Sequence, residues 1–212
     1  MVKTIMEAED GKYVTQSLID ILEVLRSPGG CPWDREQTHK SIRNDTLEEA
    51  YEVADAIDND DATALCEELG DMLLQVIFHS RIAEENGLFK YEDVVDGICR
   101  KLILRHPHVF GNAEADSSAE VLDLWDAIKK KEKHQSSFTE TLKSVPKAFP
   151  PEMRAAKVQK RARKAGTEFD CVFEDNSISA ATENLKKAQQ ELSDATDRFI
   201  ERFEEVENSL NR

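Results

Sequence analysis

Two pairs of carboxylates stand at a spacing that can hold a hard cation. Glu49 and Glu52 are three residues apart, as are Glu68 and Asp71. On a helix each pair shares one face, about a turn apart. If two such helices pack antiparallel, the four acids converge into an oxygen-lined site of the kind Mg²⁺ and Mn²⁺ prefer. The stretch TLEEAYEVADAIDNDDATALCEELGDM (Thr46–Met72) holds ten acids, and no Lys or Arg occurs from Asn44 to Ser80. A second reading is available. Thr46 with Glu49 fits a capping box, and acidic helix faces are commonly solvated. Against it, solvated acidic helices usually intersperse Lys or Arg at i+4. Glu68 and Asp71 also lie inside the apolar segment LCEELGDMLLQVIF, where a buried carboxylate needs a cation or a proton. On the residues alone, a metal site and a solvated acidic surface both stay open.

The elements that must position these groups are helices. Apolar residues recur at helical spacing almost throughout, and no alternating strand pattern stands out, so an all-α fold is expected. The periodicity predicts a helix over about Val14–Arg26, ended by the turn chemistry of SPGGCPWD. A second should begin at Asp45 or Thr46, with Leu47, Ala50, Tyr51, Ala54 and Ile57 on its buried stripe, and break at DNDD. A third is expected over Thr63–Glu85, stopping at ENG, where Gly87 suits a left-handed cap. Further helices are expected over Tyr91–Leu104, ending before Pro107, and over Ser118–Lys133. Antiparallel neighbours joined by short loops make a helical bundle the natural packing. Residues 134–151 read as a linker. Ser177–Arg212 reads as one long charged helix with too few large apolar residues for a core of its own.

Composition bounds the function. The chain has 212 residues, 28 basic and 43 acidic, for a formal charge of −15. Long nucleic acid is therefore an unfavourable partner, although a bound divalent cation can reverse the local field for a nucleotide. No apolar run reaches the roughly 18–20 residues of a membrane span, and the opening MVKTIMEAEDGKY lacks the apolar middle of a signal peptide, so a cytoplasmic protein without membrane contact is expected. Cys31, Cys66, Cys99 and Cys171 are far apart and read as ordinary reduced thiols.

Taken together, the E-E-x-x-E of EEAYE (Glu48–Glu52), the E-x-x-D of ELGD (Glu68–Asp71), GCPWDREQTH before them and KLILRHPHVFG after them resemble the MazG family of all-α nucleoside triphosphate pyrophosphohydrolases. The resemblance covers about Leu18–Lys133. It implies a four-helix-bundle module completed by dimerisation, which hydrolyses a nucleoside triphosphate to the monophosphate and pyrophosphate with Mg²⁺, or Mn²⁺ in its place, as a nucleotide-pool house-cleaning activity. Carried over residue by residue, it makes Glu49, Glu52, Glu68 and Asp71 the metal ligands, and Glu48 the acid that orients or deprotonates the attacking water. Lys101 and Arg105, one turn apart, are then placed to meet the phosphates. Their other reading is an ordinary basic helix face. Trp33 and Gln37 sit where a loop could stack on and hydrogen-bond a base, and Trp33 could equally be a hydrophobic plug beside Pro32.

Many members of that family hold two tandem copies. After Phe169 this chain has nothing like E-E-x-x-E or E-x-x-D; only a faint echo, DRFIERFEEVE, follows. The expected organisation is a catalytic module over residues 1–133, a linker over 134–151, and a truncated second copy forming a C-terminal helical appendage over 152–212. Catalysis must then come from the first copy. Two other functions fit the same residues: a catalytically weak nucleotide-binding or regulatory assembly module, and a pyrimidine-specific dUTP or dCTP pyrophosphatase of the same superfamily. A homodimer is expected in each case.

Overall fold

The computed structural model describes residues 11–132, 137–166 and 176–210. Every regular element among them is helical, as the periodicity requires. The chain start, Phe169 and Cys171 lie outside the described residues. Contacts divide the chain into two compact units, Met1–Ala113 and Glu114–Arg212. The expected module of residues 1–133 crosses that division.

The first unit contains α1 (Thr15–Arg26), α2 (Pro32–Glu36), α3 (Arg43–Asp58), α4 (Ala62–Glu85), α5 (Tyr91–Arg105) and α6 (Pro107–Phe110). Helices α3 and α4 form an antiparallel hairpin and share the most extensive packing in the chain, while α1 and α5 both lie against α4. The turn between α3 and α4 is set by local chemistry. Asp60 adopts φ 53°, a left-handed value that Asp tolerates better than most residues. Asp61 caps α4, its Oδ1 accepting from the backbone N–H of Thr63 at 2.9 Å and of Ala64 at 3.0 Å. The core comprises Leu22, Ile42, Ile77, Phe78 and Ile82, flanked by Leu18, Ile19, Ile21, Leu74 and Tyr91.

Two sequence expectations need correction. The stripe of α3 expected to be buried is largely open: Leu47 is 45% exposed, Tyr51 64% and Ile57 54%, and the buried residue of α3 is Ala56. Helices α1 and α5 pack against α4, and the periodicity reads an apolar face without saying what covers it. Thr46 also lies inside α3, which starts three residues earlier at Arg43, so it is not the helix cap.

The connection from α1 to α3 is held by Arg26, whose side chain is 5% exposed. It donates to Glu85 of α4 at 2.7 Å and to the backbone carbonyls of Asp34 and Gln37, and its guanidinium lies 5.3 Å from the centre of the Phe78 ring. The hydrogen bond from Arg26 is the first cause holding the Glu85 carboxyl below its ordinary range, with Arg81 adding to it.

The second unit contains α7 (Ser118–Glu132), α8 (Phe138–Lys143), α9 (Pro151–Ala162) and α10 (Ser177–Leu210). The stretch read as a linker therefore holds a helix, started by a capping box in which Ser137 Oγ accepts from the N–H of Glu140 and Glu140 accepts from the N–H of Ser137. Helices α8 and α9 pack together, tied by Arg161 donating to the carbonyl of Thr141 at 2.6 Å and to Ser144 Oγ at 3.0 Å. Helix α10 touches α9 and leaves Leu192, Phe199, Ile200 and Phe203 exposed, in keeping with a tail that builds no core of its own.

Because the Asp61 cap fixes where α4 begins, Asp61→Ala should lower the unfolding free energy by about 1 kcal/mol in urea titrations. Asp61→Asn should lose little, since its side-chain carbonyl accepts the same two hydrogen bonds.

Candidate metal centre

The α3–α4 hairpin brings Glu49 of α3 against Glu68 and Asp71 of α4. Each is half-buried, and each offers an oxygen within 4.8 Å of the other two. The i,i+3 pair on α4 presents two acids to one side, and the antiparallel partner supplies the third. Glu52 is more exposed but stands beside both Glu49 and Glu68, close enough to raise the pKa of each. The four expected ligands therefore form one neighbourhood on the two helices.

The electrostatics of this neighbourhood are on balance unfavourable to another negative charge. Glu49 is raised above its ordinary carboxyl value by partial burial, then by the charges of Asp71 and Glu52, with a hydrogen bond from Gln75 opposing the rise. Glu68 is raised by loss of hydration, then by Glu52, Asp71 and Glu67. The segment from Asn44 to Ser80 contains no Lys or Arg to offset this. Closely spaced carboxylate oxygens with raised proton affinity are the donor set of a hard divalent cation, so the residues fit Mg²⁺ or Mn²⁺.

The other expected site residues stand apart from this group in character. Glu48 is exposed and leaves α3 about 100° around the axis from Glu49. Lys101 is exposed on α5, whereas Arg105, one turn later, is buried at 8% exposure, so the two cations have different surroundings. Trp33 lies on α2 and is 59% exposed, which is not the burial of a hydrophobic plug. Gln37 is half-buried and its amide is engaged within its own loop, Nε2 donating to the Trp33 carbonyl at 2.9 Å and Oε1 accepting from Ser41 Oγ at 2.7 Å.

Sequence reasoning missed the polar side chains behind Glu49. Gln75, a buried residue of α4, donates from Nε2 to Glu49 Oε1 at 3.4 Å. Thr46 Oγ1 lies 3.4 Å from Gln75 Oε1, 3.2 Å from the Ile42 carbonyl and 3.1 Å from His79 Nε2. His79 Nδ1 is 2.9 Å from His39 Nδ1 in the loop before α3. The available signal was spacing: Asp71, Gln75 and His79 are four residues apart in turn, which puts the two polar side chains on the helix face of the acid.

Residues 37–110 match the family model described as the MazG nucleotide pyrophosphohydrolase domain. The chain is 38% identical over 225 residues to the nucleoside triphosphate pyrophosphohydrolase of Escherichia coli K12, an alignment covering 90% of this chain and 86% of that protein. It is 47% identical over 140 residues to the protein named YabN of Bacillus subtilis 168, covering 66% of this chain but only 28% of that longer protein. A crystal structure of a mazG-related protein from Thermotoga maritima aligns with a TM-score of 0.47 and 29% identity, over 54% of this chain and 98% of that one.

The raised carboxyls have a consequence for the metal-free protein. Above the ordinary value of 4.5, the folded chain keeps protons on Glu49 and Glu68 that the unfolded chain has released. Their contribution to stability is therefore greatest at low pH and is lost as pH rises through the raised values. In chelator, Glu68→Gln should raise the thermal midpoint at neutral pH and flatten its decline as pH rises above the ordinary carboxyl value. A variant with the wild-type pH profile would show that the repulsion is not felt in the fold.

Proposed function

Since the chain belongs to the MazG family of nucleoside triphosphate pyrophosphohydrolases, we propose that it hydrolyses nucleoside triphosphates, NTP or dNTP, to the nucleoside monophosphate and pyrophosphate. The observation that carries this reading is the convergence of Glu49, Glu68 and Asp71, with Glu52 beside them, in a segment without cations. Glu49, Glu52, Glu68 and Asp71 would hold Mg²⁺, or Mn²⁺ in its place. When bound, that ion supplies neutralisation of phosphate oxygens and a lowered pKa for water.

The chain's own residues carry the remaining roles. Glu48 accepts a proton from the water that attacks phosphorus, and the bond to the pyrophosphate leaving group breaks as the new P–O bond forms. Lys101 and Arg105 offset the charge that develops on the departing pyrophosphate. The open face of Trp33 supports stacking on a base. With its amide engaged in the loop, Gln37 acts on the base only after exchanging its bonds to Trp33 or Ser41.

The same reading makes the protein a cytoplasmic homodimer. Its support is the apolar surface that one copy leaves open: Leu47 and Tyr51 of α3, Leu69 of α4, and Val94, Ile98 and Leu102 of α5. A second bundle-forming layer would cover such a face. Residues 1–133 form the catalytic module in this proposal and residues 152–212 a truncated second copy, acting on the nucleotide pool as a house-cleaning enzyme.

Pyrophosphate release across a panel of NTPs and dNTPs, with Mg²⁺ and with chelator, tests the proposal. Turnover is expected with Mg²⁺ and absent in chelator; no turnover of any triphosphate would refute it. Replacing a neighbour of a metal ligand commonly costs 10–100-fold, so Glu52→Gln and Asp71→Asn should each lose at least about 100-fold. Undiminished activity in either variant would reject the assigned ligands.

A further inference from the structure

The direction of the hydrogen bonds behind Glu49 follows from the chemistry of its carboxylate. An ionised carboxylate only accepts, so the Gln75 group facing Glu49 must be the amide N–H, as placed, and Gln75 Oε1 is turned towards Thr46. That oxygen also only accepts, so Thr46 presents its hydroxyl hydrogen to Gln75 Oε1, shared with the Ile42 carbonyl at 3.2 Å. A hydroxyl has one hydrogen, so its contact with His79 at 3.1 Å must be one in which Thr46 accepts and His79 Nε2–H donates. The imidazole of His79 then carries its proton on Nε2, leaving Nδ1 to accept from His39 Nδ1–H at 2.9 Å. The two rings lie within 14° of parallel with centroids 5.1 Å apart, the separation of imidazoles that meet edge to edge. Burial, with the His39 charge adding to it, holds the His79 pKa below its ordinary value, which favours this neutral form.

From these contacts we infer that His39, His79, Thr46 and Gln75 form a one-way hydrogen-bond chain that positions Glu49 and ties it to the loop before α3. This rests on Glu49 being a metal ligand and adds four positioning residues to that reading. Gln75 is 7% exposed, so its bond to Glu49 is shielded from competing water. Each link uses its donor towards Glu49, which fixes the orientation of the carboxylate from behind while its front faces Glu68 and Asp71. The far end, His39, belongs to the loop that carries Gln37 and the Ser41 hydroxyl bonded to it. Displacement of that loop is therefore transmitted to Glu49 through side chains.

Mn²⁺ affinity of the full chain, measured by electron paramagnetic resonance without nucleotide, separates this role from general structural support. Thr46→Val keeps the shape of the side chain and removes the hydroxyl, and should weaken Mn²⁺ about tenfold, while Thr46→Ser restores binding to within about twofold. Thr46→Val combined with Gln75→Leu should be no weaker than Gln75→Leu alone, because both cut one chain. If Thr46→Val fails to fold, His79→Leu against His79→Gln gives the same comparison, since the Gln amide can stand in for the Nε2–H donor. Wild-type affinity in the hydroxyl-less variant, no rescue by the conservative one, or additive losses in the double variant would each overturn the inference. Wild-type binding that Glu49→Gln abolishes and Thr46→Val leaves intact would overturn it alone. A wild-type chain that binds no Mn²⁺ would overturn the metal reading and this inference with it.

Discussion

The candidate site depends on holding like charges together. Glu49, Glu68 and Asp71 repel one another, and in solution nothing would keep them within 4.8 Å. The α3–α4 hairpin does so by placing its stability elsewhere. All the buried residues of α4 lie in its second half, from Gln75 to Ala83, while Glu68 and Asp71 lie in its first. Ile77, Phe78 and Ile82 pack there against Leu22 and Ile42, and a fully buried side chain of this size contributes about 1.5–3 kcal/mol. One end of a continuous 24-residue helix is thus anchored by apolar burial, and the other carries charges the core need not accommodate. At the far end of the hairpin, the Asp61 cap and the left-handed Asp60 close the turn and fix the register that sets Glu49 opposite Glu68 and Asp71.

This division explains which parts of the site were legible in the sequence. The acids were, because i,i+3 spacing and the absence of Lys and Arg are properties of the chain itself. Helix boundaries were mostly legible for the same reason: α1, α4, α5 and α7 start and stop within a residue or so of the expected positions. Thr46 was misassigned because a capping box and an interior Thr look alike until the helix start is known. Here α3 begins at Arg43, with no side-chain cap, and the Thr46 hydroxyl is turned to Ile42, Gln75 and His79 instead.

What was not legible is what depends on partners distant in sequence. Leu47, Tyr51 and Ile57 form a helical apolar stripe, yet in this chain they are open, because α1 and α5 lie against α4. Periodicity identifies a face that favours burial, not the layer that buries it. His39 and His79 are 40 residues apart, and only the fold makes them neighbours. The helix Phe138–Lys143 was hidden by its polar composition, although its Ser137 and Glu140 carry the capping-box spacing that marks a helix start.

The loop between α1 and α3 is where these threads meet. Ile42 at its end reaches the core, while the part before it leaves Trp33 open to solvent and is held by polar contacts at two places. Arg26 grips the Asp34 and Gln37 carbonyls from one side while bonded to Glu85, near the C-terminal end of α4. His39 meets His79 two turns earlier on the same helix. The first contact is ionic, and the second is a hydrogen bond between two imidazoles, so they respond differently to solvent: salt screens an exposed ion pair more than a buried hydrogen bond. Arg26 is almost wholly covered, with the Phe78 ring beside it, which removes much of that difference. A loop held on α4 at two points cannot shift as a rigid piece without disturbing the helix that carries Glu68 and Asp71, and the exposed face of Trp33 is the part of it left free to meet a ligand.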